Sequence, residues 1–486
     1  MGGSAALSPY FPANHIHDGP ATLAGAGQSA ADLSRSQQWQ GSAPWSLQAL
    51  TVSGATLSAV GVAVASSRRI QSGRRGSRKS APVLLHVLSL RGTEEPETSA
   101  TTPEADLSRC YLHMLGKVES ERLEALRALV PATVARVHET HPSWKPEIWG
   151  VNVQQTCEAS DIVLLKYLRA EQLNVEKAAE RLAQTLQFRA DGHINEMAAA
   201  GLEDHFCGHD TINGPDVDGR PVMISRYGGM DNERVFGDVD AFVKYRLAIM
   251  EKTMARLSFT KAASEDLCQV HDYSGVPLLF KTSEVKAGVT AMTKVFGDHY
   301  PETKGKTIFV NFPAVFSKLF QAFSVFIPER TRKKFIILSE TDHEVLFQHI
   351  SPELVPVALG GMFVESPATQ LPGVPCQVVS VPARSKAEVV LAELNGPATV
   401  SWELRVCSSE VSYEVVFCPT NSEAEKQDQL VAGSTRGKPL LSSDGVVSGS
   451  YRGKEAGTLR CRFNNDTAWL RSRLCICRAE LSDHSA

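Results

Sequence analysis

An alternation of strand-like and helix-like segments between residues 220 and 338 constrains the fold of this chain more than any other feature. Short apolar runs, typical of buried strands, are separated by longer segments in which apolar residues recur at helical spacing. The strand-like runs are RPVMISRY (220–227), LCQVHDY (267–273), KTIFVNF (306–312) and KKFIIL (333–338), and the helical segments lie at 238–257, 285–296 and 316–326. This alternation predicts βαβ units with right-handed crossovers, and therefore a parallel sheet with helices on both faces.

A small all-helical module is predicted before this sheet. A segment at 118–137 carries leucine and valine residues at helical spacing, and a stronger helical block follows at 161–190. Within that block Asn174 is suited to cap a second helix, because its side chain can accept a hydrogen bond from a backbone N–H of the first turn.

A third sequence pattern begins near Pro375. Short runs in which apolar and polar residues alternate are separated there by turns that contain Gly, Pro, Asn and Asp. The runs include AEVVLAEL, TVSWELRV, VSYEVVF, TLRCRF and RLCICRAEL. Many short strands at this rhythm predict an all-β sandwich of about a hundred residues. We expect both Trp402 and Trp469 to be structural, with Trp402 in the core of the sandwich, so that residues 375–486 form an independent domain.

Residues 1–108 form a leader of different composition, rich in Ser, Ala and Gly and basic near SSRRIQSGRRGSRKS (66–80). Low aromatic content and the lack of sustained periodicity predict a disordered segment. Two alternatives stay open. A Ser-rich, acid-poor, Arg-bearing leader also resembles an organelle transit peptide, and the uncharged run at 47–65 has the length of a membrane span, although its small residues give it little insertion energy.

Charge and cysteine usage argue against several function classes. The net charge of −4 gives no global field that favours nucleic acid. We expect no metal, because no CxxC pair occurs and because His205, Cys207 and His209 lack a second cluster that would complete a zinc site. We also expect no catalysis, since the chain has neither a GxSxG elbow nor a Walker-type phosphate loop.

The segment VFSKLFQAFSVFIPERTRKK (315–334) is too apolar for an ordinary surface helix, whose apolar stripe covers about a hundred degrees. Phenylalanines recur on it at helical spacing, and its end is strongly basic. The pattern alone fits a core crossover helix, or a helix with a second apolar partner. We name its apolar residues the gate residues (Phe316, Leu319, Phe320, Phe323 and Phe326) and its cations the basic cluster (Arg330, Arg332 and Lys333).

Several motifs together resemble the CRAL-TRIO lipid-binding family. They are YPETKGKTIFVNFPAVF (300–316), ISPELVPVALGG (350–361), and LLKYLRA with the helix that ends QFRA. The tail, with VSWELRV and FNNDTAWLRS, is similar to a GOLD domain, and the three parts in this order resemble the plant patellins. The resemblance implies a helical CRAL-TRIO amino-terminal module at 109–200, a CRAL-TRIO domain at 201–367 and a GOLD-like β-sandwich at 375–486.

The resemblance also implies that one face of the parallel sheet encloses a lipid-sized cavity, closed by a movable helix after the TIFVNF strand. The gate residues would then face the cavity or a bilayer. The basic cluster would help to dock the opening, since each cation near an anionic surface contributes about 1 kcal/mol. No cofactor is expected beyond a bound lipid.

For the lipid headgroup, the resemblance points to Glu302 and Lys334, which match positions where the family engages or orients an inositol phosphate. Glu171, Gln172 and Thr303 depart from the basic residues usual in that signature. Losing these cations weakens a specific phosphoinositide site, because a phosphate favours several charge-assisted donors. We therefore expect a broad or non-inositide choice of headgroup.

The resemblance implies a non-catalytic lipid-binding and lipid-transfer protein, cytoplasmic and peripheral to membranes. If residues 1–80 are a transit peptide, the location is instead a plastid-like organelle. The alternative function is a membrane-trafficking adaptor that acts through protein partners of the GOLD domain and transfers little lipid.

Overall fold

A computed structural model describes residues 115–260, 264–276, 283–313, 332–339, 342–364, 371, 373–420, 428–434 and 438–483. The predictions for the leader, 1–108, lie outside these residues. Within them, no helix is both long enough and apolar enough to cross a membrane.

The first region is the predicted helical module. Its elements are helix α1 (Lys117–His138), a hairpin of strands β1 (Glu147–Ile148) and β2 (Val151–Asn152), and helices α2 (Glu158–Ala170) and α3 (Val175–Asp191). Asn174 caps α3 as expected, because its side-chain oxygen accepts a hydrogen bond of 2.9 Å from the Lys177 backbone N–H.

The second region is the α/β domain. It contains β3 (Asp210–Pro215), β4 (Pro221–Arg226), α4 (Asn232–Phe236), α5 (Val239–Met254), β5 (Leu267–Asp272), α6 (Ser283–His299), β6 (Lys304–Val310), β7 (Phe335–Ile337) and α7 (His343–Phe347). Its five strands lie in the order β3-β4-β5-β6-β7. Strands β4 to β7 are parallel, as the alternation predicts.

Strand β3 is antiparallel to β4 and was not predicted. The two strands form a hairpin whose turn is held by Asp216, because its carboxylate accepts hydrogen bonds of 2.9 Å from the backbone N–H groups of Asp218 and Arg220. The polar run DTINGP lacks the apolar alternation of a typical strand, so its composition hides it.

The two faces of this sheet differ in character. The apolar face carries Val222, Ile224, Cys268, Val270, Ile308 and Val310, and it packs against Leu346, Ile350, Val355 and Leu359 from the segment that begins at α7. The other, which we call the mixed face, carries Met223, Ser225, Gln269, His271, Thr307, Phe309, Phe335 and Ile337. Helix α5 packs on the Met223 end of the mixed face.

The helical module is joined to the α/β domain by a buried ion pair. The guanidinium of Arg189, on α3, donates to both carboxylate oxygens of Glu251, on α5, at 3.0 and 2.7 Å. The Tyr300 hydroxyl donates to the same carboxylate at 2.6 Å. Bidentate geometry and a third donor satisfy the buried charge, so the pair fixes the two regions together.

The third region is the predicted all-β sandwich. Its strands are β8 (Gln377–Val381), β9 (Lys386–Leu394), β10 (Ala398–Val406), β11 (Glu410–Pro419), β12 (Gln429–Gly433), β13 (Leu440–Leu441), β14 (Val447–Gly453), β15 (Gly457–Asn464) and β16 (Arg473–Asp483). One sheet has the order β14-β10-β16-β8; the other has β12-β11-β15-β9, with β13 paired to β11.

Trp402 lies in the core between the two sheets, as predicted. The expectation for Trp469 is wrong, since its side chain is 75% exposed and its ring lies against the Arg384 guanidinium, 3.9 Å from the ring centroid. It follows the Asn-Asn-Asp turn at 464–466, where the chain has left the alternating strand pattern.

The sandwich also contacts the α/β domain. Met362, beyond the segment on the apolar face, shares a small buried cluster with Cys407 and Ile476 of the sandwich. Arg405 donates a hydrogen bond of 2.7 Å to the Val357 carbonyl oxygen in the same segment.

Candidate functional site

The mixed face of the sheet forms the candidate site, because parallel register brings its polar and aromatic side chains into rows. One row runs across four strands as Ser225, His271, Phe309 and Ile337, and the next as Met223, Gln269, Thr307 and Phe335. Paired residues of parallel strands point to the same face. The rows therefore form one continuous surface, polar on β5 and apolar on β7.

At its β3–β4 end this surface is closed by helix α5. The Arg246 guanidinium donates to Asp210 at 2.8 Å and to the Ser225 hydroxyl at 3.2 Å, and the Tyr245 hydroxyl donates to the same aspartate. The charge of Arg246 is thereby neutralised by a buried carboxylate. This end is a satisfied polar network, and it serves as a wall of the site.

At its β6–β7 end the surface is aromatic. The Phe309 ring centroid lies 5.6 Å from that of Phe312 and 6.0 Å from that of Phe335, and Tyr273 meets Phe312 edge-on at 5.1 Å. Ring pairs at these separations are favourable beyond their buried area. Phe309 and Phe312 are buried, whereas Tyr273 and Phe335 at the edge of this cluster keep some accessible surface.

A β-bulge in β6 adds a lysine to the mixed face. Leu267 pairs with Lys304, whereas the next residue of β5, Cys268, pairs with Lys306, so Gly305 is an extra residue in β6. A bulge re-aims the side chain beside it. Lys304 therefore shares the side of Leu267, while Lys306 shares the side of Cys268.

The extra residue must be small. A Cβ at Gly305 would lie 2.3 Å from the Asp266 carboxylate and 2.4 Å from the Arg220 guanidinium. These two side chains form a buried ion pair at 2.7 Å. Glycine is therefore required here by close approach, and the bulge is fixed by the ion pair packed on it.

Lys304 is a cation in an interior position. Burial, followed by the nearby charge of Arg246, lowers the pKa of its ammonium to about 8. Lys304, Tyr227 and Tyr273 all retain some accessible surface although burial dominates their pKa values. These three side chains are therefore half-buried.

Within the described part of the chain, the Lys304 ammonium has no hydrogen-bond or ion-pair partner. The neighbouring cations differ. Lys306 lies 2.9 Å from the Asp218 carboxylate and Arg246 lies 2.8 Å from Asp210. A buried cation without a counterion is costly in a folded protein.

His271 is a second polar group on this face, and one of its ring nitrogens lacks a hydrogen-bond partner among the described residues. Its Nδ1 lies 2.6 Å from the Tyr227 hydroxyl, while its buried Nε2 has no partner among the described residues. Burial, and then the charges of Lys304 and Arg246, lower the pKa of the imidazole to about 3. The ring is therefore neutral, and when it accepts the tyrosine proton at Nδ1 it carries its own proton on Nε2.

Gln269 is a third such group. Its side chain is 3% exposed, and its Oε1 has no hydrogen-bond partner among the residues that the structure describes. Gln269 lies between His271 and Leu267 on β5, and Leu267 pairs with Lys304. Three unsatisfied polar groups therefore follow one another along the middle of the mixed face.

The two predicted headgroup residues contact each other. The Lys334 ammonium lies 3.7 Å from the Glu302 carboxylate and donates to the Lys304 carbonyl oxygen at 3.0 Å. Glu302 has a left-handed backbone (φ 50°), and its carbonyl oxygen accepts from the Lys166 ammonium at 2.8 Å. The pair lies just before β6 and β7, next to the bulge, and its role in headgroup binding stays a prediction.

Two of the residues that depart from the phosphoinositide signature, Glu171 and Thr303, are bound to other residues of the protein. Glu171 forms an ion pair of 2.8 Å with Arg181. Thr303 is buried, and its hydroxyl donates to the Tyr300 carbonyl oxygen at 3.1 Å.

The gate residues and Arg330 of the basic cluster lie outside the described residues. Arg332 and Lys333, the rest of the basic cluster, are exposed directly before β7. Their proposed contact with a membrane stays a prediction.

The sequence prediction missed Lys304, Gln269 and His271. His271 was placed in the predicted strand 267–273 without a functional role. Asp272 holds the turn that follows, since it accepts from the Ser274 N–H and from Asn311, both at 2.8 Å. A signal for Lys304 was present: an isolated glycine in the strand run KGKTIFV, which is typical of a bulge.

A cleft of about 520 Å³ lies beside the β1–β2 hairpin. Its lining includes Trp149, Asn152, Arg189, Glu251 and Phe259. Because Arg189 and Glu251 are bound to each other, the cleft has no unpaired charge from these two residues, and we assign it no ligand. No group of three or more His, Cys, Asp or Glu side chains within the described ranges could hold a metal ion.

Comparison with known proteins identifies two parts of the chain. Residues 206–361 match the CRAL/TRIO domain, and residues 120–184 match the CRAL/TRIO N-terminal domain. These ranges contain the mixed face of the sheet and the core of the helical module.

The relatives include plant and fungal proteins. The chain is 31% identical to Patellin-2 of Arabidopsis thaliana over 356 residues, 72% of this chain and 50% of that protein. It is 26% identical to Patellin-6 of the same plant, over 73% of this chain and 85% of that protein. A phosphatidylinositol transfer protein, sfh5, of Aspergillus niger is 32% identical over 39% of this chain and 43% of its own length. The chain thus spans half of the length of Patellin-2.

Proposed function

Since the chain contains a CRAL/TRIO domain with its N-terminal domain and is similar to the patellins, we propose that it binds a lipid on the mixed face of the sheet and transfers it between membranes. The observation that carries this proposal is the mixed face itself. Beside a buried aromatic cluster, side chains at its β6–β7 end keep accessible surface, among them Tyr273, Phe335 and Ile337.

The gate residues complete the proposal. A lipid on the mixed face must enter and leave past some covering element, and the gate residues follow β6 in the sequence. Leaving a phenylalanine in water instead of burying it forfeits about 1.5–3 kcal/mol. Apolar contact with the ligand, and with a bilayer during exchange, supplies the partners that these side chains need.

The exposed pair Arg332 and Lys333 supports docking on an anionic membrane surface. Each basic side chain near such a surface contributes about 1 kcal/mol. The protein would therefore act as a peripheral membrane protein without a catalytic step.

The ligand need not be an inositide. The relative from Aspergillus niger is named for phosphatidylinositol transfer. In this chain, however, Glu171 forms an ion pair with Arg181, and the Thr303 hydroxyl is bound to the Tyr300 carbonyl oxygen. They offer no additional cation to an inositol phosphate, so we propose a broader choice of lipid.

Two neighbouring residues on opposite faces of β7 test the proposal. Ile337 lies on the mixed face and Ile336 on the apolar face. Tryptophan at 337 would fill ligand space, so Ile337→Trp should lower lipid uptake while the melting temperature changes little. Ile336→Trp is the matched control, since overpacking a core lowers stability by about 1–3 kcal/mol.

Native mass spectrometry, with extraction and identification of any bound lipid, provides the first measurement, and transfer between vesicles the second. If the purified protein holds no lipid and transfers none, the proposal is wrong. Uptake that is unchanged in Ile337→Trp would place the lipid away from the mixed face.

A further inference from the structure

We propose that the sandwich has an insertion tip, at which Trp469 and Leu470 enter the interfacial layer of a bilayer that contains anionic lipid. The tip consists of two loops, 382–385 between β8 and β9, and 465–472 between β15 and β16. The inference rests on the membrane docking in the proposed function. It adds a second membrane contact, on a different domain from the gate residues and the basic cluster.

The first argument is that two large apolar side chains are exposed next to each other at the tip. Leu470 is 92% exposed and Trp469 is 75% exposed. These are the two highest exposures among the large hydrophobic residues that the structure describes. Because apolar side chains lose free energy when they stay in water, contact with hydrocarbon would stabilise both of them.

The second argument is that hydrogen bonds hold the tip in shape. The buried side chain of Asn465 donates from Nδ2 to the carbonyl oxygens of Val381 and Arg471, at 3.0 and 3.1 Å. The Arg384 backbone N–H donates to the Asn465 carbonyl oxygen at 3.1 Å, which joins the two loops. The exposure of the apolar pair is therefore a property of the fold, and a preformed tip loses little conformational entropy on binding.

The third argument is the charge around the apolar pair. The Arg384 guanidinium lies 3.9 Å from the Trp469 ring centroid, and Arg471 follows the pair directly and is exposed. The carboxylate of Asp466 is offset by the Lys386 ammonium, 3.8 Å away, so the tip keeps a net positive charge. Tryptophan favours the membrane–water interface, and nearby cations are attracted to anionic lipid.

A bilayer fits this tip better than a folded protein partner does. A stable protein interface buries about 800 Å² on each partner, contributed by about 20–30 residues. The exposed apolar part of the tip is two side chains, with the exposed polar residues Thr467 and Ser472 near them in the loop. A fluid interfacial layer needs no matching shape, and binding to it grows with the apolar area inserted and with the attraction to anionic lipid.

Cosedimentation of the full chain with vesicles tests the tip. One set of vesicles is phosphatidylcholine, and the other is phosphatidylcholine mixed with phosphatidylserine. The variants are Leu470→Ser and Arg471→Gln, both at exposed positions where folding does not depend on the side chain. Leu430→Ser is the matched control, because Leu430 is 67% exposed on β12, level with Arg460 in the middle of β15 and away from the tip.

We expect Leu470→Ser to weaken binding to the mixed vesicles about tenfold, since it removes an inserted apolar side chain. Leu430→Ser should bind as the native protein does. Arg471→Gln should weaken binding to the mixed vesicles about fivefold, which is the effect of one cation near an anionic surface, and leave binding to phosphatidylcholine unchanged.

Vesicles of lipids with brominated acyl chains measure insertion directly, because bromine quenches tryptophan fluorescence on contact. The chain has six tryptophans, so the native protein is compared with Trp469→Phe, which keeps an aromatic side chain at the tip. The fluorescence of the native protein should be quenched more strongly than that of the variant.

Equal vesicle binding by the native protein and Leu470→Ser would overturn the inference and leave the tip to a protein partner. Equal quenching of the native protein and Trp469→Phe would overturn it as well. Native mass spectrometry should find the same bound lipid in the native protein and in Leu470→Ser. A native protein that inserts its tip but neither holds nor transfers lipid would instead overturn the proposed function, so the two failures are distinguishable.

Discussion

Replacing Lys304 with methionine should make the lipid-free protein more stable, which is an unusual result for the loss of a charged residue at a binding site. Burial and the charge of Arg246 lower the pKa of this lysine from 10.5 to about 8. At about 1.4 kcal/mol per pKa unit, the charged form costs the folded protein about 3 kcal/mol at neutral pH. Methionine has a similar length and carries no charge, so Lys304→Met should recover that amount.

The sign of the pH dependence follows from proton binding. Below pH 8 the lysine is protonated in both the folded and the unfolded chain, and the full cost is present. Between about pH 8 and pH 10.5 the unfolded chain binds the proton while the folded protein does not, so the stability of the native protein rises with pH. The advantage of Lys304→Met should therefore shrink to about 1.4 kcal/mol at pH 9.5 and vanish above pH 10.5.

Urea unfolding of delipidated protein at pH 7.0, 8.5 and 9.5 measures this advantage. Lys306→Met provides the control, because Lys306 lies on the opposite side of the same strand, 2.9 Å from the Asp218 carboxylate. Its loss should lower stability by about 1–3 kcal/mol, since a partly buried carboxylate loses a charged donor.

Two results would refute the reasoning. If Lys304→Met is no more stable than the native protein at pH 7.0, Lys304 is not an uncompensated interior cation. If it is more stable by an amount that does not change with pH, the gain comes from packing and not from charge.

Four further predictions concern other parts of the chain. Phe320→Asp should abolish lipid transfer between vesicles while lowering the melting temperature only moderately; loss of both transfer and stability would instead assign the gate residues to the protein core. Arg332→Glu should weaken sedimentation with phosphatidylserine vesicles but not with phosphatidylcholine vesicles, and equal loss on both would exclude an electrostatic contact. Glu251→Ala should destabilise the protein by about 3–5 kcal/mol because it leaves Arg189 buried and unpaired, and an effect below 1 kcal/mol in urea unfolding would contradict this. Residues 375–486 expressed alone should melt cooperatively, and a disordered circular-dichroism spectrum would count against this boundary.

The spacing of apolar residues along the sequence predicted most of the fold. Strands β4 to β7 contain short apolar runs, and the segments that form helices α5 and α6 keep a helical period, so the parallel arrangement follows from the sequence. Strand β3 could not be found in this way, because its residues are polar and its pairing depends on the turn that Asp216 holds. Trp469 was expected to be structural, but its side chain is 75% exposed, and the sequence around it gives no alternating pattern that would decide its burial.

The candidate site was harder to predict from the sequence, because it depends on which residues of neighbouring strands pair with each other. Strand β6 alone does not show which of its lysines faces the ligand; only its pairing with β5 does, through the shift between Leu267 and Cys268. His271 was placed in the predicted strand 267–273, but the sequence does not show which residue of the next strand lies beside it. Its actual position opposite Phe309 is a long-range property of the sheet.

The bulge at Gly305 also affects how positions in this strand correspond to those of relatives in which the strand is regular. Counting back from Thr307 in strict alternation would put the glycine on the ligand face and Lys304 behind it. The correct correspondence needs a one-residue gap before Lys306. Without that gap, an alignment would describe the cavity wall as uncharged at the place where this chain has its cation.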